Sequence, residues 1–149
     1  MFMDRFLTED GRARLHPVEF QAPAEQPDED YPLYLTTGRI MAQYQSGTQT
    51  RRVAGLLAAA PAALVQIHPS MAQTYGVREG DEVRLTTRRG SAAFQAQLTP
   101  SIRMDTLFVS FHYAGNSRAN LLTNPALDPA ARMPEFKVCA VRLEKGSPC

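Results

Sequence analysis

The sequence predicts a mainly β domain, a barrel or a sandwich of short strands with a few short helices around it. Short runs rich in branched and aromatic residues recur along the chain, and turn signals such as Arg89-Gly90 separate them closely. A length of 149 residues fits one domain, and a hydrophobic fraction of 44% is sufficient for a packed core.

The beginning of the chain lacks such runs. Pro17, Pro23 and Pro27 fall among acidic residues there, and no apolar period is visible. Prolines and charges in this density favour an extended, solvated backbone. We therefore expect residues 1–30 to form an irregular arm or linker and residues 31–149 to form the domain.

The first half of the domain mixes strands and helices. Aromatic and branched residues predict a strand before Gly38, and the polar stretch 43–52 predicts a loop. Pro69 suits the first position of a helix, because the N–H that proline lacks would be unpaired there, and Gly76 suits its end. The predicted elements are strands at 32–37 and 64–67, with helices at 53–60 and from 69 to 76.

The second half predicts strands alone. Residues 82–87 and 91–98 alternate between apolar and polar side chains, which is typical of strands with one buried face. Two further apolar runs predict strands at 107–111 and 138–143. Cys139 lies inside the last strand, where a buried, unreactive thiol is the best interpretation.

Composition argues against several functional classes. Lys and Arg number 16 against 15 Asp and Glu, so there is no basic surface for nucleic acid. No apolar run approaches the roughly 18 residues of a membrane span, and charges at Asp4 and Arg5 interrupt any signal peptide. With two cysteines, Cys139 and Cys149, a disulfide is not favoured, and we expect a cytoplasmic protein.

Five polar segments carry the candidate chemistry. A hydroxyl pair, a glycine and an arginine at a strand end can hold a phosphate, and a loop dense in glutamines and hydroxyls can present amides to a heteroaromatic ring. Turns and exposed polar loops use the same residue types, so both interpretations stay open at this point. The segments are 36–39, 43–52, 111–117, 119–129 and 134–137.

These segments offer binding groups without catalytic ones. His112 has no second histidine, cysteine or carboxylate cluster nearby in sequence, so a hydrogen-bonded structural role competes with a role as ligand or base. No phosphate-binding loop, nucleophile elbow or metalloprotease motif is present. We expect no catalytic and no metal-ligating residue, as in a module that holds a cofactor whose own atoms do the chemistry.

In this order, the segments resemble one family. They are similar to the molybdopterin dinucleotide-binding domain that ends the catalytic chain of the dimethyl sulfoxide reductase superfamily. The resemblance runs from about residue 6 to residue 145, and Gln45 departs from it, since many relatives have a histidine there. The segments that carry it are 31–39, 44, 46–48, 50–52, 67–69, 80–81, 88–90, 119–123, 128–129 and 134–137.

The resemblance implies a double-psi β-barrel with short peripheral helices, and contacts to a bis-molybdopterin-guanine-dinucleotide cofactor. By motif position, the phosphate or guanine end would meet Thr37, Gly38 and Arg39. The pterin and pyrophosphate would meet Gln43, Tyr44, Ser46 and Thr48. The dithiolene side would meet His112, Asn120, Phe136 and Lys137.

Chemistry alone suggests one further contact, in which the Asp128 carboxylate accepts from the amino group and ring N–H of a guanine. Asn120 and Asn124 are candidates for reading a base edge.

Within the superfamily, residues 10–15, 46–52 and 134–141 are most similar to assimilatory nitrate reductases. The implied activity is reduction of nitrate to nitrite, with the iron–sulfur cluster and the metal ligand in upstream domains that this chain lacks. The implied partners are the remaining domains of the catalytic chain and an electron donor protein or reductase subunit. The alternatives are the same domain of a formate dehydrogenase or another oxyanion reductase, or a stand-alone barrel that binds a protein.

Overall fold

Six strands close into one barrel in a computed structural model of the chain, which describes residues 3–146. Two short helices lie among them in these residues, α1 at Ala54–Ala59 and α2 at Pro69–Thr74, and 3-10 turns occur at Thr50–Arg52, Gly115–Ser117 and Ala119–Leu121. The strands are β1 Leu33–Gly38, β2 Leu64–Ile67, β3 Glu82–Thr87, β4 Gly90–Leu98, β5 Thr106–Ser110 and β6 Cys139–Lys145.

The barrel mixes parallel and antiparallel pairs. Its strand order is β1-β5-β2-β4-β3-β6, and β6 pairs with β1 to close the ring. The pairs β1–β5 and β2–β4 are parallel, which requires crossover connections, and the other pairs are antiparallel. This is a double-psi β-barrel with short peripheral helices, and it confirms the predicted fold.

Alternating side chains fill the barrel. Leu35, Val65, Val83, Leu107 and Val109 are completely buried, and their strand neighbours are more exposed in β1, β2 and β3. Each buried aliphatic side chain stabilises the fold by about 1.5–3 kcal/mol. The period of two in the sequence therefore decides which face of each strand points inward.

Cys139 belongs to this core. It is a buried free thiol, and burial raises the pKa of its Sγ above the ordinary value. A raised pKa leaves little thiolate at neutral pH, which agrees with the unreactive thiol that we expected. Cys149 lies outside the described residues.

Local signals place the helices. Pro69 is the first residue of α2, and the His68 ring caps it by accepting from the Ser70 N–H through Nδ1 at 3.2 Å. Gly76 follows the helix with a φ of +63°, a conformation that glycine adopts without strain. None of the helices in residues 3–146 is long and apolar enough to cross a membrane.

Residues 3–32 contain no helix or strand. This arm nevertheless contacts the barrel at the turn between β3 and β4, where the Arg88 guanidinium lies 4.6 Å from the centre of the Tyr31 ring. Arg88 also forms ion pairs with Glu25 and Asp28 of the arm. The arm is therefore tied to the domain by charge and by ring contacts.

Candidate functional site

A cavity of about 640 Å³ lies beyond the carboxyl ends of the parallel strands β1 and β5. All five polar segments of the sequence contribute to its wall. The lining residues are Thr37, Arg39, Gln45, Ser46, Phe111, Asn120, Thr123, Pro134 and Phe136. Its volume lies within the range of small-molecule sites in proteins, about 300–1,000 Å³.

The end of β1 is joined to the last polar segment by two hydrogen bonds. The Thr37 Oγ1 donates to the Phe136 carbonyl at 3.0 Å, and the Lys137 ammonium donates to the Thr37 carbonyl at 2.6 Å. These residues are about a hundred positions apart in the chain. The barrel thus brings the first and last polar segments to one edge of the cavity.

Gly38 is required at this edge by packing. A Cβ placed on Gly38 would lie 2.5 Å from Cε2 of Phe108, well inside contact distance. The Gly38 carbonyl accepts from the Phe111 N–H at 3.2 Å. The glycine therefore lets β1 and β5 continue side by side to the mouth of the cavity.

Two cations meet at the cavity around aromatic rings. The Arg39 guanidinium lies 5.8 Å from the centre of the Phe111 ring, and the Lys137 ammonium lies 5.8 Å from that centre and 5.1 Å from the centre of Phe136. Neither cation forms an ion pair with another residue of 3–146. Both side chains can donate charge-assisted hydrogen bonds to phosphate oxygens at the cavity.

The loop after β1 holds itself together with buried polar groups. The Gln43 side chain is buried, donates to the Leu56 carbonyl at 3.3 Å and accepts from the Thr50 hydroxyl at 2.7 Å. This contact fastens the loop to α1. The amide of Gln43 is therefore used inside the loop and does not line the cavity.

The side chains of the exposed residues in this loop point in different directions. Gln45 adopts a φ of +48° and faces the cavity with Ser46. The Ser46 and Thr48 hydroxyls lie 2.7 Å apart and share a hydrogen bond. The Tyr44 ring is 71% exposed and is not part of the cavity wall.

His112 is completely buried beneath the same loop. Its Nε2 accepts from the Ile40 N–H at 3.0 Å, and its Nδ1 lies against the Gln45 carbonyl. Because Nε2 is an acceptor and Nδ1 faces a carbonyl, the ring is neutral with its proton on Nδ1. Both nitrogens are occupied, so His112 positions the loop and offers no free nitrogen to a ligand.

The structure separates the predicted site residues into three groups. Thr37, Arg39, Ser46, Asn120 and Phe136 line the cavity. Gly38 and Lys137 adjoin it through the contacts of β1 described above. The residues placed away from its wall are Gln43, Tyr44, Thr48 and His112.

Four lining residues were not among the predicted contacts: Gln45, Phe111, Thr123 and Pro134. All four lie inside the polar segments, so the segments were recognisable but the direction of each side chain was not. Phe111 had one available signal. In the sequence it ends the apolar run predicted as a strand at 107–111, and in the structure it directly follows β5, where the chain leaves the core and the next side chain reaches the mouth.

Of the suggested guanine contacts, Asn120 lines the cavity, whereas Asn124 and Asp128 have partners within the chain. The Asn124 side chain is buried, donates to the Val138 carbonyl and accepts from the Ala126 N–H. The Asp128 Oδ1 accepts from the Ala130 N–H at 3.0 Å and so caps its own turn. Among residues 3–146, no group of three or more His, Cys, Asp or Glu side chains could hold a metal ion.

Comparison with known proteins identifies the family. Residues 33–140 match the family described as "Molydopterin dinucleotide binding domain". The chain is 44% identical over 145 residues to the assimilatory nitrate reductase catalytic subunit of Bacillus subtilis, covering 96% of this chain and 20% of the relative. It is 42% identical over 142 residues to the F420-dependent formate dehydrogenase subunit alpha of Methanocaldococcus jannaschii, covering 95% and 21%.

A solved structure has the same fold. Acetylene hydratase from Pelobacter acetylenicus superposes with a TM-score of 0.70 at 19% identity, over 79% of this chain and 19% of that one. The chain thus spans about a fifth of the length of the curated relatives that it matches. With the barrel, the cavity and the family match together, the chain belongs to the molybdopterin dinucleotide-binding domain family of molybdopterin oxidoreductases.

Proposed function

We propose that residues 31–149 bind a molybdopterin guanine dinucleotide through the cavity between the five polar segments, as the C-terminal domain of a molybdenum oxidoreductase. Residues 1–30 form the arm that leads into this domain. The observation that carries the proposal is the pair of cations, Arg39 and Lys137, held over aromatic rings beside a polar cavity. Phosphate, ring and amide contacts then come from one wall.

The donors and rings present suit such a group. Arg39 and Lys137 would take phosphate oxygens, because neither cation is neutralised by a carboxylate of residues 3–146. Gln45 and Asn120 carry amides that can pair with the edge of a pterin or guanine ring. A cavity of about 640 Å³ is suited to part of a bis-dinucleotide, so the rest of the enzyme would supply the other walls.

The proposed parent enzyme reduces nitrate to nitrite, and the bis-dinucleotide cofactor supplies the two-electron redox chemistry of molybdenum for that reaction. The electrons would arrive through an iron–sulfur cluster in upstream domains and from a donor protein or reductase subunit, in the cytoplasm. The residues of this chain would hold the cofactor, orient its pterin by hydrogen bonds and exclude water from it. The support is the 44% identity to a nitrate reductase catalytic subunit.

Formate oxidation is the second candidate. Three formate dehydrogenase alpha subunits are 37–42% identical to this chain over 142 residues, which is nearly as similar as the nitrate reductase. Substrate contacts would lie in the upstream domains in either case. Assaying the protein encoded by the whole reading frame decides the matter: nitrate-dependent oxidation of a reduced dye supports the first candidate, and formate-dependent reduction of an oxidised dye supports the second.

The remaining domains of that enzyme are the proposed partners of an exposed apolar face. Gln43 joins the loop after β1 to α1 through the Leu56 carbonyl, and large apolar side chains on both elements are exposed to solvent. These are Met41, Tyr44, Val53, Leu56 and Leu57. Exposed apolar side chains on two connected elements are typical of an interface between domains.

The cavity assignment can be tested on the chain itself with GDP as a probe of the guanine and diphosphate groups. We expect Arg39→Gln and Lys137→Gln each to raise the Kd for GDP about tenfold, because each removes a charge-assisted hydrogen bond to phosphate. Amide shift changes in an NMR titration would give the Kd and should centre on residues 37–48 and 119–137. Circular dichroism should show the fold retained.

Arg78→Gln is the matched control, because Arg78 is an exposed arginine outside the cavity wall. It should leave the Kd for GDP unchanged. Equal losses of affinity in all three variants would reduce the effect to net charge and contradict the assigned site. Shift changes confined to other parts of the barrel would contradict it as well.

A further inference from the structure

The arm contains one carboxylate that is almost completely buried. The Glu25 side chain is 10% exposed, and its Oε1 accepts from Arg88 at 2.5 Å and from Arg89 at 2.7 Å. Burial raises the pKa of the Glu25 carboxyl, but the hydrogen bonds from Arg89 and Arg88 outweigh that effect and the pKa lies below its ordinary value. Glu25 is therefore ionised at neutral pH and fixed to the turn between β3 and β4.

Arg89 extends this contact to one wall of the cavity. While its Nη1 pairs with Glu25, its Nη2 donates to the Leu122 carbonyl at 2.8 Å. Leu122 is completely buried and follows the 3-10 turn Ala119–Leu121. Asn120 and Thr123, on either side of it, both line the cavity. The position of this part of the wall therefore depends on the two contacts that the Arg89 guanidinium makes, one to Glu25 and one to the Leu122 carbonyl.

The neighbouring residue of the arm reaches a second segment of the cavity wall. The Ala24 N–H donates to the Glu135 carboxylate, at 3.0 Å from Oε2 and 3.2 Å from Oε1. Glu135 stands between Pro134 and Phe136, which line the cavity. Two adjacent arm residues are thus connected to two segments of the cavity wall, Glu25 through Arg89 and Ala24 by direct hydrogen bonds, and these segments are more than ten residues apart in the chain.

We propose that Glu25 is a positioning residue for the cofactor cavity. Its carboxylate fixes the Arg88-Arg89 turn, and with the adjoining Ala24 amide it sets the spacing between residues 119–123 and residues 134–137. This inference rests on the proposed function of the cavity. The arm is then part of the binding site although none of its residues is on the cavity wall.

Amide hydrogen exchange of the 149-residue chain, without any ligand, tests the positioning role of Glu25 independently of cofactor binding. Glu25→Gln keeps the size of the side chain and removes its charge. We expect it to raise exchange of residues 119–123 and 134–137 about tenfold, since each broken charge-assisted contact is worth about that factor. Exchange in β2 and β4 should stay within about twofold. No increase in either wall, or one uniform increase throughout the barrel, would overturn the proposal.

Two further variants separate the two connections. Arg89→Lys keeps the charge but cannot bind Glu25 and the Leu122 carbonyl at the same time. It should therefore raise amide exchange of residues 119–123 and leave exchange of residues 134–137 unchanged. Glu135→Ala removes the acceptor of the Ala24 N–H and should have the reverse effect. If Arg89→Lys leaves residues 119–123 as protected as before, the route through the Leu122 carbonyl is wrong.

Asp28→Asn is the matched control, because Asp28 is an exposed arm carboxylate that pairs with Arg88 but, unlike Glu25, not with Arg89, the residue that reaches the Leu122 carbonyl. It should change neither wall. A GDP titration gives a second readout: Glu25→Gln should raise the Kd about fivefold and Asp28→Asn should not, which a general loss of stability would not produce. Absence of GDP binding by the unmodified chain would count against the proposed function, whereas the exchange experiment would still decide the role of Glu25.

Discussion

The barrel interior and the cavity mouth are built from opposite kinds of side chain. The interior is filled by aliphatic residues such as Leu35, Val83 and Leu107, which are completely buried and need no specific partner. The mouth also has buried residues, but Thr37, Gln43 and His112 are polar, and each is hydrogen-bonded to a backbone group. Close packing of apolar side chains stabilises the interior, whereas directional hydrogen bonds stabilise the mouth.

This difference explains how a rigid site can be made from loops. In the interior, a side chain of similar volume can replace another at modest cost. At the mouth, removing one buried polar group leaves its backbone partners without hydrogen bonds. The exposed residues that face the cavity, such as Gln45 and Asn120, are therefore placed by buried neighbours and not by their own contacts.

The largest effect is expected in the interior. Leu107→Ala should lower the free energy of unfolding by about 2–5 kcal/mol, because the cavity left in a closed barrel cannot collapse fully. Urea denaturation followed by circular dichroism would measure it. The variant should weaken all strands together and leave the relative exchange of the mouth loops unchanged. Selective loosening of residues 40–47 would contradict the separation of the two regions.

A smaller and more local effect is expected at the mouth. His112→Leu keeps a buried side chain of similar volume but leaves the Ile40 N–H and the Gln45 carbonyl unpaired. We expect a loss of about 1–3 kcal/mol, since the loop can turn partly to water. Amide exchange of residues 40–47 should rise more than that of β2. A variant as stable and as protected as the unmodified chain would refute the positioning role of His112.

Two glycines sharpen the comparison further. Gly38→Ala should cost about 1–3 kcal/mol, because the new methyl group meets the Phe108 ring at the boundary between the two regions. Gly55→Ala is the control, since a Cβ there meets nothing within 4 Å and lies in α1. That change should raise stability by up to about 1 kcal/mol. Thermal unfolding of both variants gives the signs, and equal signs would contradict this account.

Most strands could be predicted from the sequence because their signal is local. The expected strands 64–67 and 82–87 coincide with β2 and β3, and the helix expected from Pro69 forms at that residue. The others differ by one or two residues at their ends. A strand is indicated by the alternation of apolar and polar residues, and its ends are indicated by turn residues. Both signals extend over a few positions, so they can be recognised in a single sequence.

The long-range relations were not readable in this way. Nothing in the alternation of β1 indicates that it pairs in parallel with β5, about seventy residues later. In the sequence, Glu25 is one of several acidic residues in a polar segment, whereas in the structure it pairs with Arg88 and Arg89, more than sixty residues away. Charges in a linker and charges in a buried ion pair have the same local pattern, and only the fold distinguishes them.

The sequence predicts which segments form the cavity, but it does not predict which side chains of those segments point into it. Within one loop, the Gln43 side chain points inward and the Gln45 side chain points to the cavity, and the backbone at Gln45 has a positive φ. An irregular loop has no period from which such a reversal could be inferred. The polar composition of the segment therefore locates the site, and the backbone decides which side chains are available to it.

The pairing of β1 with β6 has a consequence for folding of the chain during its synthesis on the ribosome. Leu33 lies opposite Val141, so the first strand waits for a partner that is translated more than a hundred codons later. Until then its backbone edge is open to chaperones or to neighbouring nascent chains. The ring cannot close before β6 is synthesised, so slow translation near residue 140 would prolong the interval in which the incomplete barrel can misassemble.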